Sequence, residues 1–343
     1  MSAARQLTVA VVGAGTLVGE MLIQLLDERA FPVGQLQPLC SERSLGRTVS
    51  FRGHNYPLLR FTDFDLKQAD LAFFCAGSRI SRELAPAAAA AGCRVIDSTS
   101  AFRHEEDVPL VVPEVNAHAI ELAEQRRIIA SPGSAVIQLV VALKPLHDAA
   151  GLQRINVATY QAVSGAGREA VEELAQQSIA LLSGRSPPAP QRVPRRIAFN
   201  CVPQIGDLTE NGDTSEELRL MMEIRKVLEA DTLRVNAITV RVPVFYGHSA
   251  AVSIETRTKL SPDEARAVLQ HAPGVTLFDA PRNAGYPTAA TEAANQDTVY
   301  VGRIREDQSV DRGLNLWVVA DNIRKGAATN SVQIAETWAG RSI

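Results

Sequence analysis

The sequence predicts a two-domain α/β protein: a Rossmann-type dinucleotide-binding domain, then an α+β domain with a large mixed sheet. Three observations carry this. Apolar strand segments alternate with helical stripes through the first third of the chain, and a glycine-rich turn follows the first strand. Beyond residue 134, long strand segments succeed one another without a helix between each. A length of 343 residues exceeds what one core commonly supports, so two domains are expected, dividing near residue 134.

Leu7–Val12 is an apolar, β-branched run, and the helix after it, Leu17–Glu28, carries apolar residues at 18, 21, 22, 25 and 26. A strand at Gln35–Cys40 completes a parallel strand–helix–strand unit. Asp70–Cys75 reads as a buried strand, with Ser81 capping an alanine-rich helix that ends at Gly92, and Arg94–Asp97 as the next strand. In the second half, Ile137–Ala149 reads as a helix interrupted at Pro145, Arg154–Gln161 as a strand and Arg168–Leu182 as a helix. The proline-rich stretch Gly184–Pro194 is a surface loop, and Glu216–Glu229 a charged amphipathic helix. Leu233–Phe245, Ala250–Arg257, Val299–Arg305 and Leu314–Ala320 are long strands, and Lys325–Trp338 closes the chain as a helix.

Composition narrows the function classes. With 46% hydrophobic and 21% charged residues the chain reads as an ordinary soluble globular protein. A net charge of −3 gives no footprint for nucleic acid. The basic runs Arg192–Arg196 and Arg324-Lys325 read as solvated surface or a ligand contact. Met1–Arg5 shows no signal-peptide pattern and no apolar run has membrane-spanning length, so a cytoplasmic protein without membrane partners is expected. Cys40, Cys75, Cys93 and Cys201 stand singly, without metal spacing, and read as reduced structural thiols, Cys201 packing in or near the second domain.

Gly13-Ala14-Gly15-Thr16-Leu17-Val18-Gly19 sits between a strand and a helix, where glycines let phosphate approach backbone and the helix N-terminus supplies donors. The spacing is G-x-G-x-x-x-G, so a tight turn without a ligand is the alternative. At the end of the second strand, Ser41, Arg43 and Ser44 offer a site for a 2′-phosphate, with Glu42 turned to solvent. An exposed turn with an incidental arginine is the alternative there; together the two segments favour NADP over NAD.

Longer blocks carry a resemblance. Ile129 to Gln138, Ile-Ala-Ser-Pro-Gly-Ser-Ala-Val-Ile-Gln, resembles the I-A-N-P-N-C-S-T-I-Q nucleophile segment of aspartate-β-semialdehyde dehydrogenases. The glycine turn and Ser41–Gly46 are similar to that family's G-A-T-G-A-V-G and S-x-R-S-A-G, with Gly15 and Thr16 transposed. Asp97–Arg103, Val111–Asn116, Thr159–Gly167, Arg241–Ser249, Val301–Arg305 and Asp321–Ala328 continue the match in order, from roughly residue 8 to 338.

The resemblance implies a reaction between an aldehyde and an acyl phosphate through a cysteine thioester, on a small amino-acid-like ligand. It implies Arg103 and Arg219 at phosphate, Arg241 at the α-carboxylate and Glu216 at the amino group. His248 would be the acid–base residue and Gln161 an orienting group. Gly13, Gly15, Thr16, Leu17, Val18, Ser164, Gly165 and Asn322 would meet the cofactor, with Asn322 near the nicotinamide, so the resemblance implies that the last helix returns to the first domain: 1–133 with 321–343 as one domain and 134–320 as the other. Structural ion pairs are the alternative for Arg103 and Arg241, and a solvated helix pair for Glu216 and Arg219. A charge within the apolar strand around Arg241 is costly unless paired or facing a cleft.

At the nucleophile position the sulfur is an oxygen, Ser134, and the preceding asparagine is Gly133. A serine hydroxyl needs a strong, well-placed base, and an ester is less activated than a thioester toward hydride and phosphate. The pattern resembles the Usg-type homologues that lack the cysteine. It predicts an NADP- and ligand-binding homodimer, joined through its second sheet, in which the ordinary reaction is weak or absent. A working oxidoreductase on a related small carbonyl is the alternative.

Overall fold

In a computed structural model of the chain, residues 6–280, 282 and 284–340 are described; Met1–Arg5 and residues 341–343, which the domain reading includes, lie outside them. The chain divides into two compact units, Met1–Gly133 with Ala327–Ile343, and Ser134–Gly326.

The first unit runs β1 (Leu7–Val12), α1 (Leu17–Glu28), β2 (Val33–Cys40), a hairpin of β3 (Thr48–Phe51) and β4 (His54–Pro57), β5 (Leu59–Arg60), β6 (Leu71–Phe74), α2 (Ser78–Ala90), β7 (Arg94–Asp97), α3 (Pro113–Asn116) and β8 (Ile128–Ala130). Its sheet has the order β5-β2-β1-β6-β7-β8, and every pairing in it is parallel. Leu71, Ala72, Phe73 and Phe74 are all inaccessible to solvent. Such an unalternating strand forms only where both sheet faces are covered.

The second unit contains α4 (Ser134–Ala150), β9 (Leu152–Gln161), α5 (Arg168–Leu182), α6 (Ser215–Leu228), β10 (Arg234–Arg241), β11 (His248–Thr256), α7 (Pro262–Gln270), β12 (Val275–Leu277), β13 (Val299–Glu306) and β14 (Gly313–Ala320). Its sheet is mixed, β10-β9-β11-β14-β13-β12, with parallel pairs at the two edges and antiparallel pairs between. One face packs on helices. The other alternates outward along β9 as Arg154, Asn156, Ala158 and Tyr160. The chain then returns to the first unit as α8 (Asn330–Trp338).

Several local expectations are corrected. The helix expected to be broken at Pro145 is continuous from Ser134 to Ala150. Eleven of its residues are buried, and that burial outweighs the ~3 kcal/mol a helical proline costs. Ser81 is not a cap: α2 starts at Ser78 behind Gly77 (φ 104°), and the buried Ser81 hydroxyl donates to the Asp97 carboxylate at 3.3 Å. The strand expected to reach Phe245 ends at Arg241, because Pro243 has no N–H and the Val244 and Phe245 carbonyls take Val163 and Ser164 N–H instead. The closing helix is not one piece from Lys325. Arg324–Thr329 is a wide turn in which Gly326 N–H donates to the Asp321 carbonyl, and the regular helix begins at Asn330. The return to the first unit falls at Ala327 rather than 321, since Asn322 is bonded to Ser164 and Gly247 of the second unit.

Candidate functional site

In the first unit the glycine turn lies at the C-terminal end of the parallel sheet, where β1 hands over to α1. Gly13 holds φ 107°, and a Cβ there would stand 2.7 Å from Ala76 N. At Gly19 a Cβ would meet the Gly13 carbonyl oxygen at 2.2 Å, so the helix can start only against a bare backbone. Thr16 caps α1: its hydroxyl donates to the Gly13 carbonyl (2.8 Å) and accepts from Gly19 N–H (3.0 Å). The amides of Leu17 and Val18 in the first turn have no carbonyl four residues back within the helix, which leaves them for an anion.

Ser41 precedes, and Arg43 and Ser44 lie within, a short 3₁₀ turn after β2. A Cβ at Gly15 would touch the Ser44 side chain at 2.9 Å, so this turn sits against the glycine turn. Arg43 is exposed and makes no ion pair among the described residues, and Glu42 is exposed as expected. Arg47 went unnoticed in the sequence. Its guanidinium ties the two loops together, donating to the Gly15 carbonyl at 3.1 Å and to Glu20 at 2.5 Å. The residues present fit a nicotinamide dinucleotide. Arg103 belongs to this unit as well, donating to the Ser98 carbonyl at 2.8 Å. Cys75 packs beneath the turn with its sulfur 3.4 Å from the Val12 carbonyl, and burial pushes its thiol up to about 12. It stays protonated at neutral pH.

The second unit gathers a polar cluster at the ends of β9, β10 and β11. Arg241 is 6% exposed and donates to the Ala162 carbonyl at 2.7 Å. Burial pulls its guanidinium down to about 10, opposed by Glu216. Glu216 lies 3.4 Å from the Gln161 amide and 3.3 Å from Arg219, which is one helical turn further along α6. Ser164 and Asn322 bond one another, and the Asn322 carbonyl oxygen accepts Gly247 N–H at 2.9 Å. Gly165 roofs Arg241 and His248: a Cβ there would be 3.0 Å from Arg241 Nη1 and 3.3 Å from His248 Nε2.

His248 is fully buried. Its Nδ1 accepts Ala162 N–H at 3.1 Å, and a backbone amide only donates. The neutral ring therefore carries its proton on Nε2, which has no protein partner. Burial first, then Arg241, depress its pKa to about 3. The geometry makes it a neutral ring whose Nε2–H is unpartnered among the described residues. The linked stability follows from the sign of that shift. Between pH ~6.5 and 3 the unfolded chain binds the proton and the folded one does not, so stability falls as pH drops through that window. Urea unfolding of His248→Asn between pH 4 and 7 is expected to show a shallower decline than the native chain, by up to ~1.4 kcal/mol per pH unit. Equal slopes would contradict the assignment.

Ser134 opens α4, half-buried, and its hydroxyl has no hydrogen-bond partner among the described residues. Gly326 lies against it, where a Cβ would come within 2.7 Å of Ser134 Cβ. Gln138, one turn on, was not singled out from the sequence. It is fully buried with both amide atoms unpartnered, and helix geometry leans its side chain back toward the Ser134 turn. A lone glutamine in an apolar helix carries no signal until its burial is known. Two further sequence readings change. Arg324 and Lys325 are buried, Arg324 forked onto Asp297 at 3.0 and 2.8 Å. Cys201 is exposed, because its neighbour Val202 takes the inward position in a bridge to Arg241.

The first unit thus carries a dinucleotide turn, and the second a buried Arg–His–Gln cluster on a mixed sheet, the two-domain arrangement of the semialdehyde dehydrogenase fold. Models of the semialdehyde dehydrogenase NAD binding domain and dimerisation domain match residues 8–123 and 143–325. Aspartate-semialdehyde dehydrogenase of Legionella pneumophila is 53% identical over 97% of this chain and 95% of its own length. That of Shewanella violacea is 53% identical over 97% of both. The crystal structure of aspartate semialdehyde dehydrogenase II from Vibrio cholerae superposes with a TM-score of 0.95 at 46% identity, covering 99% of this chain and 100% of that one. A second crystal structure of that enzyme, complexed with ASA, matches equally. The chain belongs to the aspartate-semialdehyde dehydrogenase family.

Proposed function

We propose that this chain is an NADP-binding homodimer of the Usg type that holds a small amino-acid-like ligand but carries out phosphorylating aldehyde oxidation weakly or not at all. The observation that carries this reading is Ser134, an unactivated hydroxyl at the position the family gives to its cysteine. No base is bonded to it, and His248 has its Nδ1 committed to Ala162. In the second domain Arg241 and Arg219 would anchor the anionic groups of the ligand and Glu216 its ammonium, with Gln161 orienting the reacting group. Arg103, in the first domain, would contribute to phosphate. Gly13, Gly15, Thr16, Leu17, Val18, Ser41, Arg43, Ser44, Ser164, Gly165 and Asn322 would hold the cofactor. The nicotinamide supplies the site that takes up or returns a hydride.

The domain division follows the units, and the dimer is proposed to form through the uncovered sheet, where Tyr160 and Ile238 are exposed. No helix among the described residues is long and apolar enough to cross a membrane. The four unpaired cysteines support a cytoplasmic setting.

A second reading is favoured by the relatives' names: enzymes of about half-identical sequence are aspartate-semialdehyde dehydrogenases. An active oxidoreductase working on a small carbonyl without a thioester would keep Arg241 as anchor and use His248 Nε2–H at the carbonyl oxygen. NADPH absorbance with aspartate semialdehyde and phosphate, then with small aldehydes, separates the two. Turnover within about tenfold of an ordinary family member rejects the first reading. Cofactor choice has its own test. Arg43→Glu is expected to weaken NADPH binding ~10- to 100-fold while leaving NADH unchanged, read by fluorescence titration. An equal loss for both cofactors would remove Arg43 from the 2′-phosphate site.

A further inference from the structure

Arg60 closes β5, the edge strand of the first unit's parallel sheet, and pairs in register with Cys40, the last residue of β2. Side chains in register on neighbouring strands share a sheet face, as do residues two apart along one strand. Arg60 therefore shares the face of the buried Cys40 and of Leu58, whose Cδ1 would stand 3.1 Å from a Cβ at Gly15. The Ser41–Ser44 turn begins one residue beyond Cys40. Arg60, that turn and the glycine turn thus lie together at the C-terminal edge of the sheet, where such sheets bind ligands. The backbone at Arg60 is fixed. Its N–H donates to the Asp63 carboxylate at 3.1 Å and its carbonyl accepts Asp63 N–H at 3.0 Å, so the chain turns back directly after it. Leu58 N–H donates to the carbonyl of Arg47, whose guanidinium is bonded to Gly15.

The charges at this edge do not cancel. Arg43, Arg47 and Arg60 bring guanidiniums to it, and only Arg47 is neutralised, by Glu20 at 2.5 Å. Arg43 and Arg60 are exposed and make no ion pair among the described residues. The neighbouring acids do not supply one: Asp63 is engaged by Arg60 N–H and, through its other oxygen, by the Thr62 hydroxyl at 3.5 Å, and Glu42 is exposed to solvent. A phosphate monoester carries about −1.5 to −2 charges at neutral pH. One guanidinium leaves close to half of that uncompensated, and a second forked donor completes the neutralisation.

We propose that Arg60 is a further specificity residue for the cofactor, pairing with the ribose 2′-phosphate together with Arg43. The inference rests on the NADP reading above and is independent of whether Ser134 supports turnover. NADPH and NADH differ only in that phosphate, so the pair isolates it. The full-length native protein and the variants Arg60→Gln, Arg60→Lys and Arg43→Gln are titrated with each by fluorescence at low salt. The native chain is expected to prefer NADPH. Arg60→Gln is expected to weaken NADPH at least ~10-fold and to leave NADH within ~2-fold, which also shows that the variant is folded. Arg60→Lys is expected to keep part of the preference, because the charge stays while the fork is lost. Equal weakening of both cofactors by Arg60→Gln, or weakening of neither, overturns the proposal. The two readings fail separately. A native chain with no preference for NADPH removes the 2′-phosphate site and Arg60 with it, whereas a preference abolished by Arg43→Gln and kept by Arg60→Gln removes Arg60 alone.

Discussion

Ser134→Cys combined with Gly133→Asn is expected to raise phosphate-dependent oxidation of aspartate semialdehyde by ~10³-fold or more, since losing a covalent nucleophile commonly costs ~10⁴-fold in turnover. The reason lies in both halves of the reaction. A thiol is a few per cent thiolate at neutral pH and attacks unaided, whereas the Ser134 hydroxyl has no bonded base. The acyl group must then leave for phosphate, which a thioester permits far more readily than an ester. Gly326 presents no side chain to residue 134, where a Cβ would come within 2.7 Å of Ser134 Cβ. The double variant is to be assayed beside the native chain by NADPH formation, with phosphate present and absent. A rise seen only with phosphate supports the reading. No rise, in a variant that still binds NADP⁺, would mean that the anchoring residues no longer hold the substrate productively.

Gly19→Val has the largest expected structural effect. A Cβ at 19 would stand 2.2 Å from the Gly13 carbonyl oxygen and 2.8 Å from Ala14 Cα, both backbone atoms of the phosphate loop that cannot rotate away. The loop must shift or α1 must start later, and the Leu17 and Val18 amides then lose their common direction. Urea unfolding is expected to show a loss of ~2–4 kcal/mol, as for other overpacked core positions. NADP⁺ affinity is expected to fall at least ~100-fold. Thr16→Ala is the measured contrast: it deletes the hydroxyl that caps Gly19 N–H at 3.0 Å and is expected to cost only ~1 kcal/mol. Native-like NADP⁺ binding by Gly19→Val would show that the turn is not the phosphate site.

Much of the candidate site was legible because it is written in contiguous blocks. The glycine turn, the Ser41–Ser44 turn and the segment from Arg241 to His248 each place their groups within a few residues. Backbone rules then suffice to say which end of which strand they occupy. Gln138 and Arg47 were not legible. Gln138 is notable only because both amide atoms are buried without partners, and Arg47 only because its guanidinium folds back on Gly15. The proton position on His248 was also out of reach, since it follows from a bond to Ala162, 86 residues away in the chain.

The sequence by itself determined the alternation of strands and helices, the two-domain division, the family and the oxygen at position 134. Those depend on hydrophobic period, on turn glycines and on the identity of single atoms, all of which are local. Only the tertiary structure decided that α4 runs through Pro145, that Arg324 and Lys325 are buried, and that His248 is a donor. Each of those turns on burial and on partners distant in sequence. Desolvation and long-range hydrogen bonds set them, and neither is encoded in the order of neighbouring residues.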